Sequence, residues 1–207
     1  GALLRAGARG PARVPAWRGA YAASVGHQRR PQRARALSAG RRVWCVRSDR
    51  CLGKHGRAGD LLRTHIACDL SAFAAEELPG SIMRGVPRDE WTSIGLRDED
   101  VQAAATANTA ARFDTLVARI GKTDCIPSDG WRVASDPLFQ GSVLMAPAVL
   151  QAFAKRANGD VLLAVPDRGV LLALPSSLPS AERFERRVLK EFREAMNPCS
   201  RELLVTD

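Results

Sequence analysis

The sequence predicts an α/β fold of the α+β type: a small, largely antiparallel sheet packed by about three helices, with a disordered basic segment before it. Three observations carry this expectation. Val161–Val165 and Val170–Leu174 are apolar runs of strand length, separated only by Pro166-Asp167-Arg168-Gly169. Four residues are too few for a parallel crossover, so the two runs pair as an antiparallel hairpin. Helical patterning appears around residues 98–120, 146–157 and 180–196, with apolar residues recurring on one face. Residues 1–48 contain 11 Arg and no Lys, Asp or Glu, and no strand or helix period holds there for more than a few residues.

That last feature sets the expected domain organisation: a disordered Arg/Ala/Gly-rich leader over residues 1–58 and one folded domain over residues 59–207. A segment with so little apolar surface cannot offset its ordering entropy. Three readings of it compete. It is a poorly structured leader, or GC-rich sequence read in a foreign frame. It is an organellar transit peptide, with Arg35-Ala36-Leu37-Ser38-Ala39 as the processing site. Or it is an arm that binds nucleic acid. The formal charge of +9 divides unevenly: residues 1–48 carry +11 and residues 49–207 carry −2. Nucleic acid is therefore a partner only through residues 1–48, if at all. The chain opens at Gly1 and closes on the strand-like Leu203–Asp207, which gives the expectation of truncation at both ends.

The folded elements follow in order. Pro87 to Gly95 is a turn-rich entry with Trp91 and Ile94 as apolar anchors. Acids at 98–100 favour the positive end of a helix carrying Val101, Ala104, Ala105, Asn108, Leu116 and Ile120 on one face, with a weak middle. Asp129-Gly130 makes a turn into a short strand at Trp131–Ala134. Leu138 to Met145 fits neither period. Pro147 suits a first helical turn, and that helix turns Val149, Leu150, Phe153 and Ala157 inward before stopping at Asn158-Gly159. The hairpin strands are apolar at every position, so both faces are expected to be covered. Ser180 is then expected to cap a helix with Phe184, Val188, Leu189, Phe192 and Met196 inward, ending at Asn197-Pro198.

Several chemical motifs fail on spacing. Cys45, Cys51, His55, His65 and Cys68 cluster in sequence, yet no Cys-x2-Cys knuckle is present and incidental placement is the expected reading. Gly121-Lys122-Thr123 lacks the glycine five residues upstream that a phosphate loop needs. Gly141-Ser142-Val143 lacks the second half of a nucleophile elbow. No His lies beyond His65, so His-dependent nucleophilic chemistry is not expected in residues 70–207. No metal or cofactor is assigned. Five scattered Cys suit reduced thiols in a cytoplasmic protein, and no apolar run reaches membrane-spanning length.

The ordered features resemble the YtpQ-like bacterial proteins, a family of uncharacterised proteins. The matching pieces are Trp91 before Ala104-x3-Asn108, then Asp129-Gly130 before a strand, Ser142-x-Leu144 leading to Leu150, and Gly159 to Leu172 with Ala164-Val165-Pro166. Coverage is about residues 61–207. Val143 stands where the family usually has Arg, and residues 1–58 do not resemble the family's N-terminal portion. The resemblance implies an architecture and no chemistry. The function expected first is a non-catalytic binding or interaction module, using a sheet face toward a protein partner or second copy, or the Pro166–Gly169 tip. A carboxylate-dependent enzyme is the second reading, and nucleic-acid binding by the basic arm the third. Candidate ligand or interaction residues are Asn108, Asp129, Ser142, Asp167 and Arg168, with no catalytic residue assigned.

Overall fold

The computed structural model describes residues 12–14, 42–54, 60–123 and 127–206, with backbone alone for 12–14 and 54. The chain runs through β1 (Ala12–Val14), β2 (Arg42–Ser48), α1 (Asp49–Lys54), β3 (Arg63–Ala67), β4 (Leu70–Leu78), β5 (Ile82–Gly85), α2 (Arg88–Thr92), α3 (Asp98–Arg112) and α4 (Asp114–Gly121). It continues through β6 (Trp131–Val133), a 3-10 segment (Gln140–Met145), α5 (Pro147–Ala157), β7 (Val161–Asp167), β8 (Val170–Pro175), α6 (Ala181–Glu194) and β9 (Leu204–Thr206). The strands make two sheets, of order β1-β9-β7-β8-β6 and β2-β4-β3, with β5 also on β4. All pairings are antiparallel except β1 with β9. The α+β expectation therefore holds, with one parallel edge and a second sheet.

The boundary at residue 58 does not hold. Arg42–Ser48, expected inside the leader, is a seven-residue strand buried at every position. It lies against β4 in register from Arg42↔Glu76 to Ser48↔Leu70. Val43, Trp44, Cys45 and Val46 form a short run that is apolar throughout, the pattern of a strand covered on both faces. The Arg at each end gave it the composition of the leader. Residues 15–41 and 55–59 lie outside the described residues, and so do the expectations that fall on them.

The hairpin is as expected. β7 and β8 pair from Val161↔Pro175 to Asp167↔Val170, with an irregularity in register between Ala164 and Asp167. Alternation then divides the side chains between two layers. Val161, Leu163, Val165, Leu171 and Ala173 enter the main core, which also takes Val43–Val46, Phe73, Trp91, Phe139 and Phe153. Leu162, Ala164, Leu172 and Leu174 meet Phe184 and Val188 of α6 on the other face. The ambiguous Leu138–Met145 stretch becomes the 3-10 segment, buried at every position and packed against β2, α3, α5 and β8. It joins the two sheets. At Gly141 an added Cβ would stand 2.7 Å from Val165 Cγ1, so only glycine fits this contact.

Four finer expectations are corrected. The helix of residues 98–120 is two helices, broken at Phe113 (φ −106°, ψ 9°), where its apolar stripe is weakest and Phe113 turns into the core. Ile94 is no anchor, being 50% exposed, while Trp91 is fully buried and donates its indole N–H to Asp98 Oδ1 at 3.0 Å. Met196 is 93% exposed because α6 ends at Glu194. Ser180 occupies the position before α6 without a side-chain capping bond.

Candidate ligand-binding cleft

Two of the residues singled out from sequence are structural ties. β2 is an edge strand, and its free backbone groups would template a further strand. Side chains occupy them instead. Asn108 Nδ2 donates to the Arg42 carbonyl at 2.8 Å, the Trp44 N–H donates to Thr109 Oγ1 at 2.9 Å, and the Cys199 thiol donates to the Val46 carbonyl at 3.7 Å. Alternate residues of one edge are thereby bonded. Asp129 accepts from Arg187 Nη1 at 3.0 Å, and its carbonyl accepts from the same nitrogen, so it fastens α6 to the turn before β6. Ser142 is fully buried in the 3-10 segment. Its Oγ has no hydrogen-bond partner among the described residues, and its environment is core.

Asp167 and Arg168 come together at the tip of the β7–β8 hairpin. Asp167 Oδ1 accepts from the Gly169 N–H and Oδ2 from the Asn197 N–H, each at 2.8 Å. The Arg168 N–H donates to the Asn197 carbonyl at 3.2 Å, and the Cys199 and Ser200 N–H groups donate to the Pro166 and Val165 carbonyls. The tip is thus stitched to residues 197–200, which lead into β9. Gly169 is needed for close approach, because a Cβ there would lie 3.0 Å from the Pro137 carbonyl oxygen. Both carboxylate oxygens of Asp167 are engaged, and neither Asp129 nor Asp167 lines the cleft beside the tip. The carboxylates singled out from sequence therefore do not converge there.

That cleft, of about 1580 Å³, lies between the tip, the 197–203 segment, and the end of β2 with α1. Arg47 and Arg168 line it together with Arg50 and Arg201. Arg47 is only 6% exposed, and its Nη1 donates to Cys199 Sγ at 3.9 Å. Arg168 keeps its Nε buried with no hydrogen-bond partner among the described residues. Elsewhere guanidinium groups meet carboxylates. Arg42 pairs with Glu76, and Arg84 spans Glu76 and Glu90. Arg112 bonds Glu77 and Asp136 and lies over the Phe139 ring at 4.7 Å. Arg47 and Arg168 have no such ion pair among the described residues.

The thiols beneath this pair are inert. Burial pushes the Cys45 thiol up to about 11, against the opposing pull of Arg47 and Arg168. Burial likewise pushes Cys199 up to about 12, again against Arg47. Neither forms a thiolate near neutral pH, so neither is a ready nucleophile. Of the sequence cluster considered for zinc, Cys45 is core and Cys68 exposed. His65 is 60% exposed on its side chain, and His55 lies outside the described residues. No helix among the described residues is long and apolar enough to cross a membrane.

Sequence reasoning pointed to Arg168 and missed Arg47 and Cys199. The available signal for Arg47 was its place at the end of the apolar Val43–Val46 run, where a strand would carry it into the fold. No family model matches the chain, and no curated protein or solved structure matches it either.

Proposed function

We propose that this chain is a non-catalytic binding module whose ligand sits in the cleft beside the β7–β8 tip. The observation that carries the reading is a pair of well-anchored arginine donors in the cleft wall beside a buried thiol that burial keeps protonated. Arg47 and Arg168 line the cleft on elements bonded tightly to their surroundings. Cys199, the buried thiol at its wall, is held protonated by burial. No His belongs to the lining, and the Asp69 carboxylate accepts a hydrogen bond from Ser200 Oγ. A nucleophile needs an adjacent base or a depressed pKa, and this lining favours holding a molecule over transforming it. The family likeness carried by Trp91, Asn108, Asp129-Gly130 and the β7–β8 run belongs to the same proposal, and it supplies no chemistry of its own.

The test is retention without conversion. The purified chain is incubated with a protein-free metabolite extract and passed through an ultrafilter, and mass spectrometry follows both fractions. The expected result is a compound retained unchanged and released by unfolding. Met196→Trp, a change at a 93% exposed residue of the cleft wall, should weaken retention at least about tenfold by crowding the cleft where the ligand sits. Steady conversion of a compound by the parent chain would reverse the reading toward an enzyme, and retention of nothing would remove it.

A further inference from the structure

We propose that the ligand of this cleft is an organic oxyanion with an apolar body, its anionic group held between Arg47 and Arg168. This rests on the reading of the cleft as a ligand site and names the class of ligand. A guanidinium cannot shed its proton in a protein, so a buried one needs an anion or a full set of acceptors. Arg47 is buried to 6% exposure and, among the described residues, has one weak acceptor, the Cys199 sulfur. Arg168 approaches from the facing hairpin with an Nε that has no hydrogen-bond partner among the described residues. Arg47 donates to the Cys199 sulfur, the Cys199 N–H donates to the Pro166 carbonyl and the Arg168 N–H to the Asn197 carbonyl, so both arginines flank the same 197–199 stretch of the cleft wall.

The nearby carboxylates do not supply the missing anion. Asp167, next in the chain to Arg168, spends its oxygens on two backbone N–H groups. Asp136, within electrostatic range of Cys45, is bonded to Arg112 and to two backbone N–H groups. Asp69, Glu185 and Glu202 line the cleft from exposed positions, and none makes an ion pair with Arg47 or Arg168. A planar guanidinium matches the two oxygens of a carboxylate or phosphate. The remaining wall contains Leu52, Phe73, Met83, Phe192 and Leu203, which suits an apolar body. A volume of about 1580 Å³ exceeds the usual small-molecule pocket, roughly 300–1,000 Å³, so the site is not shaped for a lone inorganic ion.

Calorimetric titration of the full chain tests this with phenyl phosphate and benzoate as the two oxyanion sources. Benzyl alcohol is the neutral control, benzylamine the cationic control and inorganic phosphate the ion without a body. At least one aromatic anion should bind about tenfold or more tightly than every control. Arg47→Met and Arg168→Gln should each weaken it about tenfold or more. Should Arg47→Met fail to fold, Arg168→Gln at the half-exposed tip carries the test alone. Anions that bind no better than benzyl alcohol, or equally well in the folded variants, overturn the proposal. Tight binding of benzyl alcohol or benzylamine, lost in Met196→Trp, would sink the anion assignment while leaving the cleft as a ligand site.

Discussion

Cys199 touches both the edge of β2 and the guanidinium of Arg47, and its protonation state follows from burial. Its pKa near 12 and that of Cys45 near 11 lie above the ordinary thiol value of 9.0. The sign follows directly. Below about pH 9 both thiols are protonated whether the chain is folded or not, so their contribution is fully present. Above about pH 9 the unfolded chain ionises first, and stability falls by roughly 1.4 kcal/mol per pH unit for each thiol, up to about pH 11 for Cys45 and about pH 12 for Cys199. Denaturant titrations across this range should show that fall, and Cys199→Ala should halve its slope up to about pH 11 and abolish it from there to about pH 12. Thiol counting offers a second readout. In a background carrying Cys51→Ser and Cys125→Ser, a thiol reagent at pH 8 should modify exposed Cys68 at once and reach Cys45 and Cys199 only on unfolding. Early modification of Cys45 would contradict its 1% exposure. Single residues are where sequence reading is weakest. Asn108 was recognisable as a polar member of a helix face, yet its acceptor is 66 positions away at Arg42, and nothing local encodes that distance.

Elements whose pattern is local and complete were legible, and α6 is the clearest. Its charged residues fall on one side, and Phe184 and Val188 are fully buried on the other. Asn158 takes the left-handed conformation (φ 55°, ψ 43°) that ends α5, and Pro147 opens that helix. The failures have physical causes. The 3-10 segment has neither period because all six residues are buried together, and only the meeting of two sheets makes that possible. The chain leaves α6 two residues before Met196, so a periodic match there predicted burial that the helix does not extend far enough to provide. Phe184→Asp tests the element. Phe184 packs with Leu162, Leu172 and Leu174 and also lies against Gly130. A carboxylate in that layer forfeits the aromatic burial, about 3–5 kcal/mol, and desolvates a charge. Thermal unfolding should therefore fall by more than about 10 °C. Arg187→Ala, which removes the partly exposed tie to Asp129, should cost no more than about 1 kcal/mol. Equal effects from the two changes would show that α6 is held by charge and not by its apolar face.

At the scale of the whole molecule, composition hid the most. The charge division at residue 48 made β2 look like the end of a basic leader, yet counted with the fold it leaves residues 42–207 with no net formal charge. The two arginines of β2 were counted with the charge of the leader. Arg42 is instead paired with Glu76, and Arg47 is buried at the cleft. Averaging over a long window erases a strand of seven residues, and a strand whose pairing partner begins some twenty positions later has no local signal beyond its own apolar run. The consequence is testable by where the chain is cut. A chain beginning at Gly40 keeps β2 and, among the described elements, loses only the three-residue β1, which pairs at the outer edge of its sheet. A chain beginning at Gly59 loses Val43, Trp44, Cys45 and Val46, each at most 4% exposed, and bares one whole edge of β4. Deleting a single large buried side chain costs about 2–5 kcal/mol, and total stability is typically only 5–15 kcal/mol. The longer chain should unfold cooperatively in denaturant, while the shorter should give no cooperative transition and should aggregate through the bared β4 edge. A sharp, reversible transition for the Gly59 chain would mean that β2 is an accessory to the core and that the cleft floor at Arg47 is not part of the folding unit.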